Sequence, residues 1–193
     1  MFYLFIENFL SKEECENIIK ITSSKELKRL TSVKLSDSGF KPNQYEDDLH
    51  RRSGAMYNYI EIQKIPELKI VSDKSINYLN QSPPYKNTKY TGIPKFTFNR
   101  YQDGDYLNYH PDKHEIEFGA TITIIYQLND NYVGGEVTYM IDKKEYIVPK
   151  KQGSIFIFDS EMLHSVKKVE GGIRYSMNSW PSTLMDYSKK SLL

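Results

Sequence analysis

The sequence predicts a mainly β protein in which N-terminal helices pack on a β-barrel or jelly-roll core. Three observations support this fold class. From Pro94 onward, short segments rich in β-branched and aromatic residues alternate with turn signals, and no helical pattern separates them. Two segments before Pro94 instead carry apolar residues at helical spacing. The length of 193 residues suggests one domain with a single core.

The first 93 residues are expected to form the N-terminal layer. "FYLFIENF" predicts a short strand, and the capping box of Ser11 and Glu14 predicts a helix over about 12–23. Residues 36–53 combine Gly, Pro, Asn and many charges without a period, which predicts a long loop. "AMYNYIEI" is interpreted as a strand. "PELKIVSDKSINYLNQ" is interpreted as a helix that begins at its proline.

The core is expected over residues 94–181, within a single domain of 1–193, and the polar end at 182–193 is expected to be a tail. Short strands are predicted in the order "KFTFNRY", "GATITIIYQL", "GEVTYMI", "EYIVP", "SIFIF", "HSVKKV" and "IRYSMNSW". A run of short strands with no helix between them is typical of a sandwich or barrel.

Composition argues against several kinds of partner. The formal net charge is +1 and lysines are interleaved with acids, so no basic surface for nucleic acid is predicted. The apolar N-terminal run stops at Glu7, and no other stretch approaches the length of a membrane span. Cys15 is the single cysteine, so the chain needs no oxidising compartment. These features predict a cytoplasmic protein with no nucleic-acid or membrane partner.

Two histidines and one aspartate form a candidate metal site. In "YLNYHPDKHE", His110 and Asp112 stand two positions apart, and in an extended segment such residues point to the same face. His164 follows the apolar strand "SIFIF". Two histidines and a carboxylate are the facial triad of non-haem Fe(II) oxygenases, which leaves the opposite face of the metal open. A zinc hydrolase would need a third neutral ligand, for which His114 is a candidate.

Arg174 is a candidate anion-binding residue. It lies ten residues after His164, beyond the turn "EGG", so the two side chains could face one cavity. A guanidinium there would bind a carboxylate through two parallel hydrogen bonds. For an iron site, the natural ligand is a dicarboxylic 2-oxo acid whose far carboxylate meets the arginine. A surface position on the strand is the alternative for Arg174.

From about Pro94 to Pro181 the chain resembles the prolyl-4-hydroxylase-like branch of the Fe(II)/2-oxoglutarate oxygenases. "NRYQDGDYLNYHPD" is similar to the family signature Tyr-x-x-Gly-x-x-Tyr-x-x-His-x-Asp, although either of two tyrosines could be the second one. "GGE" matches a turn that recurs in the family. "QGSIFIFDSEMLHSVKKVEGGIRYSMNSW" matches the closing segment, which carries a histidine, an arginine or lysine, and a tryptophan.

The resemblance implies a double-stranded β-helix core and a requirement for Fe(II), 2-oxoglutarate and O₂, with ascorbate as the expected reductant. It implies that His110, Asp112 and His164 hold the iron. It further implies that Arg174 binds the distal carboxylate of 2-oxoglutarate. Two more roles come from the resemblance: Tyr101 donates its hydroxyl to the co-substrate, and Trp180 walls the pocket.

Side chains on the predicted strands are expected to line the same cavity. Thr123 and Ile125 alternate on the central strand and would form its floor, and a register shift of one residue would replace them with their neighbours. Ser176 and Asn178 share the strand parity of the arginine.

The resemblance predicts a peptide or protein substrate, hydroxylated at prolyl residues. Loop 36–53 could close over an extended peptide, with Arg51, Arg52 or Tyr57 as contacts. An oxygenase of a free amino acid or another small molecule is the alternative, and a non-catalytic jelly-roll binding module is a further one. A broad groove would favour a peptide, and a closed pocket would favour a small molecule. His114 is interpreted as a solvated loop residue.

Overall fold

The computed structural model describes residues 1–24, 27–29, 50–84, 88–112 and 120–184, and only the backbone of residues 28, 29, 50 and 51. The helices in these ranges are α1 (Lys12–Ser23), α2 (Tyr59–Lys64) and α3 (Pro66–Gln81). The strands are β1 (Tyr3–Ile6), β2 (Lys28–Arg29), β3 (His50–Arg51), β4 (Ser53–Asn58), β5 (Lys95–Tyr101), β6 (Tyr106–His110), β7 (Ile122–Gln127), β8 (Val133–Gly134), β9 (Val137–Ile141), β10 (Lys144–Ile147), β11 (Ile155–Asp159), β12 (His164–Val166), β13 (Val169–Gly171) and β14 (Arg174–Ser179). None of the helices just named has the length and apolar character needed to cross a membrane.

The strands form two main antiparallel sheets. The larger sheet has the order β1-β11-β7-β14-β5-β4-β2, and the smaller has the order β10-β9-β12-β6-β3, with a short β8–β13 ribbon beside them. The prediction of a mainly β protein with N-terminal helices is confirmed. The first 93 residues contribute strands to both sheets as well as the helices.

Two apolar clusters define the faces of the larger sheet. Its outer face carries Phe96, Phe98 and Tyr126, which pack against Ile18 of α1 and Leu68 of α3. Its inner face faces the smaller sheet. The cluster between the sheets includes Tyr101, Ile125, Phe156 and Phe158 from the larger sheet, and Leu107, Val137 and Val166 from the smaller. Side chains of alternating parity on each strand therefore lie either under the helices or between the sheets.

The helices begin where their capping residues predict. The Ser11 hydroxyl accepts from the Glu14 backbone N–H while the Glu14 carboxylate accepts from the Ser11 backbone, and α1 runs over the predicted residues. A proline at the first turn opens α3, also as predicted. The strand predicted for "AMYNYIEI" was wrong in its second half. Asn58 and Glu61 form another capping box, which ends β4 and begins α2.

Strand β6 contains a β-bulge beside the candidate metal residues. His110 lies opposite His164 of β12, and Leu107 lies opposite Val166, so three steps on β6 match two steps on β12. The extra residue lets both Leu107 and His110 face the space between the sheets, although their spacing would otherwise point them apart.

The chain crosses from one sheet to the other at Arg52. β3 pairs with β6 in the smaller sheet, and β4 pairs with β5 in the larger one. Arg52 is the single residue between these two strands. Its backbone therefore bridges the two sheets at the N-terminal end of β6, where Arg51 pairs with Tyr106, and His110 lies at the other end of this strand.

Candidate metal centre

His110, Asp112 and His164 meet between the two sheets, with potential ligand atoms all within 4.8 Å of one another. The His110 Nε2 atom lies 3.6 Å from Asp112 Oδ1, and the His164 Nε2 atom lies 3.7 Å from Asp112 Oδ2. The two imidazole rings are 4.3 Å apart between centroids. In the described part of the chain, no other group of three His, Cys, Asp or Glu residues is arranged to hold a metal ion.

Backbone carbonyls set the tautomer of both histidines. The His110 Nδ1 atom lies 2.8 Å from the Asn108 carbonyl oxygen, and the His164 Nδ1 atom lies 3.0 Å from the Met162 carbonyl oxygen. A carbonyl oxygen can only accept, so each Nδ1 carries a proton and donates it. Each neutral ring therefore presents the Nε2 lone pair to the centre, an arrangement common for histidines that bind metals.

The protonation states also suit a cation. Burial, followed by the charge of the neighbouring His164, lowers the pKa of His110 to about 4, so the ring is neutral at neutral pH. Burial alone would raise the pKa of Asp112. His164, His110 and two donated hydrogen bonds outweigh that effect, so the pKa of Asp112 lies below its ordinary value. The neutral imidazole of His110 and the ionised carboxylate of Asp112 are thus available as ligands.

Asp112 is held by the larger sheet. Its Oδ2 atom accepts from Thr123 Oγ1 at 2.8 Å and from Trp180 Nε1 at 3.1 Å. Its backbone N–H donates to the Ser160 carbonyl at 2.7 Å. Both side-chain bonds go to Oδ2, which fixes the plane of the carboxylate and directs Oδ1 towards His110. Thr123, predicted to floor the pocket, therefore positions a ligand, as does Trp180.

Arg174 is buried on the inner face of the larger sheet, with 1% of its surface exposed. Its Nη1 donates to Ser176 Oγ at 2.8 Å and its Nη2 lies 3.4 Å from Gln127 Oε1. Its Nε has no partner among the described residues, and none of them forms an ion pair with it. A buried guanidinium is normally paired with an anion, so this environment suits a carboxylate ligand that the protein itself does not supply.

Two neighbouring strands connect Asp112 with Arg174. On β7, Thr123 contacts Asp112 and Gln127 contacts Arg174, and Ile125 lies between them on the same face. Strand β14 makes a second connection. Arg174 and Trp180, which follows the strand, share one face, and Trp180 contacts Asp112. A cleft lined by Ile125, Gln127 and Tyr132 opens on this face, and its lining includes neither the candidate metal residues nor Arg174. A molecule lying along these strands could contact the candidate metal site at one end and Arg174 at the other.

The Arg174 end carries further polar groups that the sequence reasoning missed. Gln127 Nε2 donates to the Tyr132 hydroxyl at 2.7 Å, which leaves the hydroxyl proton for another acceptor. Burial raises the pKa of Tyr132, so this proton is retained at neutral pH. Gly135, with φ of 64°, lies where a Cβ atom would come within 3.3 Å of Arg174 Cδ. Only strand parity on β7 could have indicated Gln127.

The other predicted co-substrate residues also lie on the inner face. The Tyr101 ring packs against the Arg174 guanidinium, with its centroid 5.0 Å from Cζ. Its hydroxyl has no hydrogen-bond partner in the described ranges. Asn178 is half-buried on β14, opposite Thr97 on β5. The intervening residues of β7, Ile124 and Tyr126, lie in the outer cluster, so the register is the one first predicted.

The three predicted substrate contacts are placed differently. Tyr57 is 3% exposed in the cluster beneath the helices, on the opposite face from the metal residues, so the geometry contradicts a substrate contact there. Strand parity explains the error, since Tyr57 lies opposite Phe96. Arg52 is half-buried and contacts Asn99 on β5. The side chain of Arg51 and the whole of His114 lie outside the described residues, as does most of loop 36–53.

Comparison with known proteins shows which family the segment carrying this site is similar to. Residues 96–182 match the profile of the 2OG-Fe(II) oxygenase superfamily. A PKHD-type hydroxylase of Rippkaea orientalis is 29% identical over 108 residues, which cover 52% of this chain and 49% of that protein. The chain thus spans about half the length of the curated relative that it matches.

Solved structures of prolyl hydroxylases share the fold. A prolyl hydroxylase from Trichoplax adhaerens, in complex with a peptide fragment of the hypoxia inducible factor oxygen degradation domain, has a TM-score of 0.70 at 19% identity, covering 94% of this chain and 83% of that one. A viral collagen prolyl hydroxylase from Paramecium Bursaria Chlorella virus-1 has a TM-score of 0.66 at 20% identity, covering 94% and 97%. The predicted jelly-roll core is confirmed. Residues 96–182 are thus similar to the 2OG-Fe(II) oxygenase superfamily, and the solved structures show that the chain shares its fold with prolyl hydroxylases.

Proposed function

We propose that this chain is an Fe(II)- and 2-oxoglutarate-dependent dioxygenase that hydroxylates prolyl residues in a peptide or protein. One observation carries the proposal. The His110–Asp112–His164 triad and the buried Arg174 both lie between the two sheets, and Arg174 Nε lacks a partner among the described residues. This combination suits a metal together with a dicarboxylic co-substrate, whereas a hydrolytic zinc site would have no use for the buried guanidinium.

The triad residues have defined roles in this proposal. His110 Nε2, His164 Nε2 and one oxygen of Asp112 would hold Fe(II). With 2-oxoglutarate and O₂, bound iron supplies the oxidising chemistry that converts a C–H bond into a C–OH group. Thr123 and Trp180 hold the Asp112 carboxylate in place for this purpose. Ascorbate is the expected reductant that keeps the metal ferrous.

Arg174 would bind the distal carboxylate of 2-oxoglutarate. Its unpaired Nε and the proton of the Tyr132 hydroxyl are both available for a carboxylate. Tyr101 covers the guanidinium with its ring, and its hydroxyl is a further candidate donor. The buried side chains Ile125 and Phe158 exclude water along the path between the two ends.

A peptide substrate is favoured by the open surface beside the site. The inner face of the larger sheet continues past β14 onto β5 and β4. Thr97 is half-buried there and Met56, opposite it, is 57% exposed. Lys95 lies over the Trp180 ring at the same edge, 5.1 Å from its centroid. An open platform next to the metal residues can accept an extended chain, whereas a free amino acid needs only a closed pocket.

The test is a turnover assay with Fe(II), ascorbate, 2-oxoglutarate and a panel of proline-containing peptides. Succinate is quantified, and the mass of each peptide is measured by mass spectrometry. The wild-type protein should produce succinate and add one oxygen to proline, and His164→Ala should do neither. Glu145→Gln removes an exposed carboxylate on the smaller sheet and should retain full activity.

Each result has a defined meaning. Succinate without a modified peptide would retain the oxygenase and direct the search to small molecules. If the metal-loaded protein produces no succinate, and if 2-oxoglutarate does not change its affinity for the metal, the chain is a non-catalytic binding module. Arg174→Met tests the carboxylate site independently of the metal site, because it should weaken 2-oxoglutarate binding and leave metal binding unchanged. Arg174→Lys should weaken it less, since the charge remains but the bidentate geometry is lost.

A further inference from the structure

Arg52 occupies a position that the proposed mechanism does not use. It lies where the chain crosses between the two sheets, next to β6, which carries His110. Its guanidinium contacts Asn99 on β5, which lies opposite Ser176 on the inner face of the larger sheet. Arg174, in contrast, contacts Gln127 on β7, on the other side of β14. The two arginines therefore flank the site from different directions.

The Arg52 guanidinium is fixed at one edge and unpaired at the other. Its Nε donates to Asn99 Oδ1 at 3.0 Å, and Asn99 is fully buried with its amide donating to the Thr97 carbonyl at 3.2 Å. Its Nη1 is buried without a hydrogen-bond partner among the described residues, and none of them forms an ion pair with it. A guanidinium held at Nε presents its outer edge to whatever lies beside it, and the group that best matches this edge is a carboxylate.

The position of Arg52 makes a substrate carboxylate the best candidate. Asn99 is on β5, next to Thr97, and Thr97 belongs to the open platform that continues from Trp180 towards β4. A chain lying on this platform with its target residue at the metal would pass within reach of Arg52. The proposed function assigns the co-substrate carboxylate to Arg174. Among the described residues, no Asp or Glu side chain pairs with Arg52.

We propose that Arg52 binds a carboxylate of the substrate and thereby selects substrates with an acidic group near the residue that is hydroxylated. This inference rests on the proposed function for the identity of the target residue, but the recognition itself is a binding property. The carboxylate can come from an Asp or Glu side chain within a peptide, or from the C-terminus of a short one. The two sources share the same chemistry and are separated by the choice of probes.

The test is binding of fluorescently labelled proline peptides, measured by anisotropy with Mn(II) and 2-oxoglutarate present. One series places a single Glu at each of the three positions before and after the proline, and a matched series has Gln instead. Every peptide is made with a free and with an amidated C-terminus. Wild-type protein should bind at least one Glu peptide roughly tenfold more tightly than its Gln partner, the expected size of a charge-assisted hydrogen bond.

Arg52→Gln should abolish this preference while leaving the affinity for 2-oxoglutarate and the melting temperature close to those of the wild type. Arg52→Lys should retain part of it. The matched control is Arg100→Gln, which removes the same charge one strand away. Arg100 adjoins Ser53 in the register and shares the helix-covered face with Phe98, although its Nε is also buried without a partner among the described residues.

Charge reversal gives a result that misfolding cannot mimic. Arg52→Glu should prefer a Lys peptide over the Glu peptide at the same position. Equal binding of Glu and Gln peptides by the wild type, with either C-terminus, would overturn the inference, as would an Arg52→Gln variant that keeps the preference or loses 2-oxoglutarate instead. A preference seen only with the free C-terminus assigns the carboxylate to the chain end. Because binding is read without turnover, an absence of succinate would count against the proposed function alone.

Discussion

Asp112 depends on two donors for its orientation, and this makes Thr123 a sensitive position. Thr123→Val keeps the shape of the side chain and removes the donor to Oδ2. We expect metal affinity to fall about 10-fold or more, as is usual when a hydrogen bond to a ligating carboxylate is lost. Trp180 is the single tryptophan and contacts the same carboxylate, so quenching of its fluorescence by Mn(II) provides the titration.

The matched control is Thr138→Val. Thr138 is equally buried, but its hydroxyl bonds with Tyr109 and Ser165 on the outer face of the smaller sheet. This variant should bind Mn(II) like the wild type. Equal weakening in both variants would mean that Thr123 acts through general stability and not through Asp112.

Gly135 controls the space beside Arg174. It has a positive φ, and an added Cβ would lie 2.9 Å from Val169 Cγ2 and 3.3 Å from Arg174 Cδ. Gly135→Ala should therefore lower the free energy of unfolding by more than about 1 kcal/mol and raise the KM for 2-oxoglutarate, because the added Cβ crowds the side chains of Tyr132 and Arg174. Gly104→Ala is the control, since φ there is 83° but the nearest atom lies 4.0 Å away. It should lose stability through backbone strain alone, with an unchanged KM.

Helix α1 depends on its first turn. Ser11→Ala removes the acceptor for the Glu14 backbone N–H, and we expect the free energy of unfolding to fall by about 1 kcal/mol. Urea denaturation followed by circular dichroism measures this change. Ser23→Ala, at the exposed last residue of the same helix, should change stability by less than about 0.5 kcal/mol. Equal losses in the two variants would contradict a capping role for Ser11.

The elements that the sequence could predict are those with strong local signals. Helices α1 and α3 are long enough for apolar periodicity to show, and each has a recognisable start. Helix α2 has six residues, less than two turns, so its apolar residues fit a strand equally well. Asn58 and Glu61 carried the missing signal. The bulge in β6 could not be predicted, because it is defined by the partner strand and not by the sequence of β6 itself.

Cys15 reports on opening of the whole protein. Burial, followed by the charge of Glu14, raises the pKa of the thiol to about 12, so almost no thiolate is present in the folded state at pH 8. Cys15 favours folding below the pKa of an exposed thiol, and this contribution is lost as pH rises towards 12. A thiol reagent at pH 8 should react within seconds in urea and far more slowly with the native protein.

Ligands should slow this reaction further if the thiol becomes accessible only through global unfolding. On the proposed function, Mn(II) and 2-oxoglutarate would bind the folded state alone and would lower the population of open molecules by mass action. If neither ligand changes the rate at which the reagent labels Cys15, helix α1 opens without unfolding of the whole protein. Immediate labelling of the native protein would contradict the buried position, and Cys15→Ser provides the blank.

Long-range relations account for most of what the sequence left open. The triad residues and Arg174 could be selected because their residue types, order and spacing are distinctive, and their roles remain predictions. Gln127 and Asn99 have no such signal, since ordinary polar residues on strands acquire meaning only from the strands beside them. Tyr57 shows the opposite failure, because an aromatic residue beside a charged loop suggested a surface contact while strand parity placed it under the helices.

The bulge in β6 has a consequence for how this segment tolerates change. The carbonyl that fixes the His110 tautomer belongs to Asn108, between Leu107 and His110, where three steps along β6 match two steps along β12. Because the contact uses a backbone atom, exchanging the amino acid at this position preserves it. Shortening the segment by one residue would still allow Leu107 and His110 to pair as before, yet it would remove that carbonyl. Selection should therefore act on the length of this segment more strictly than on the identity of residue 108.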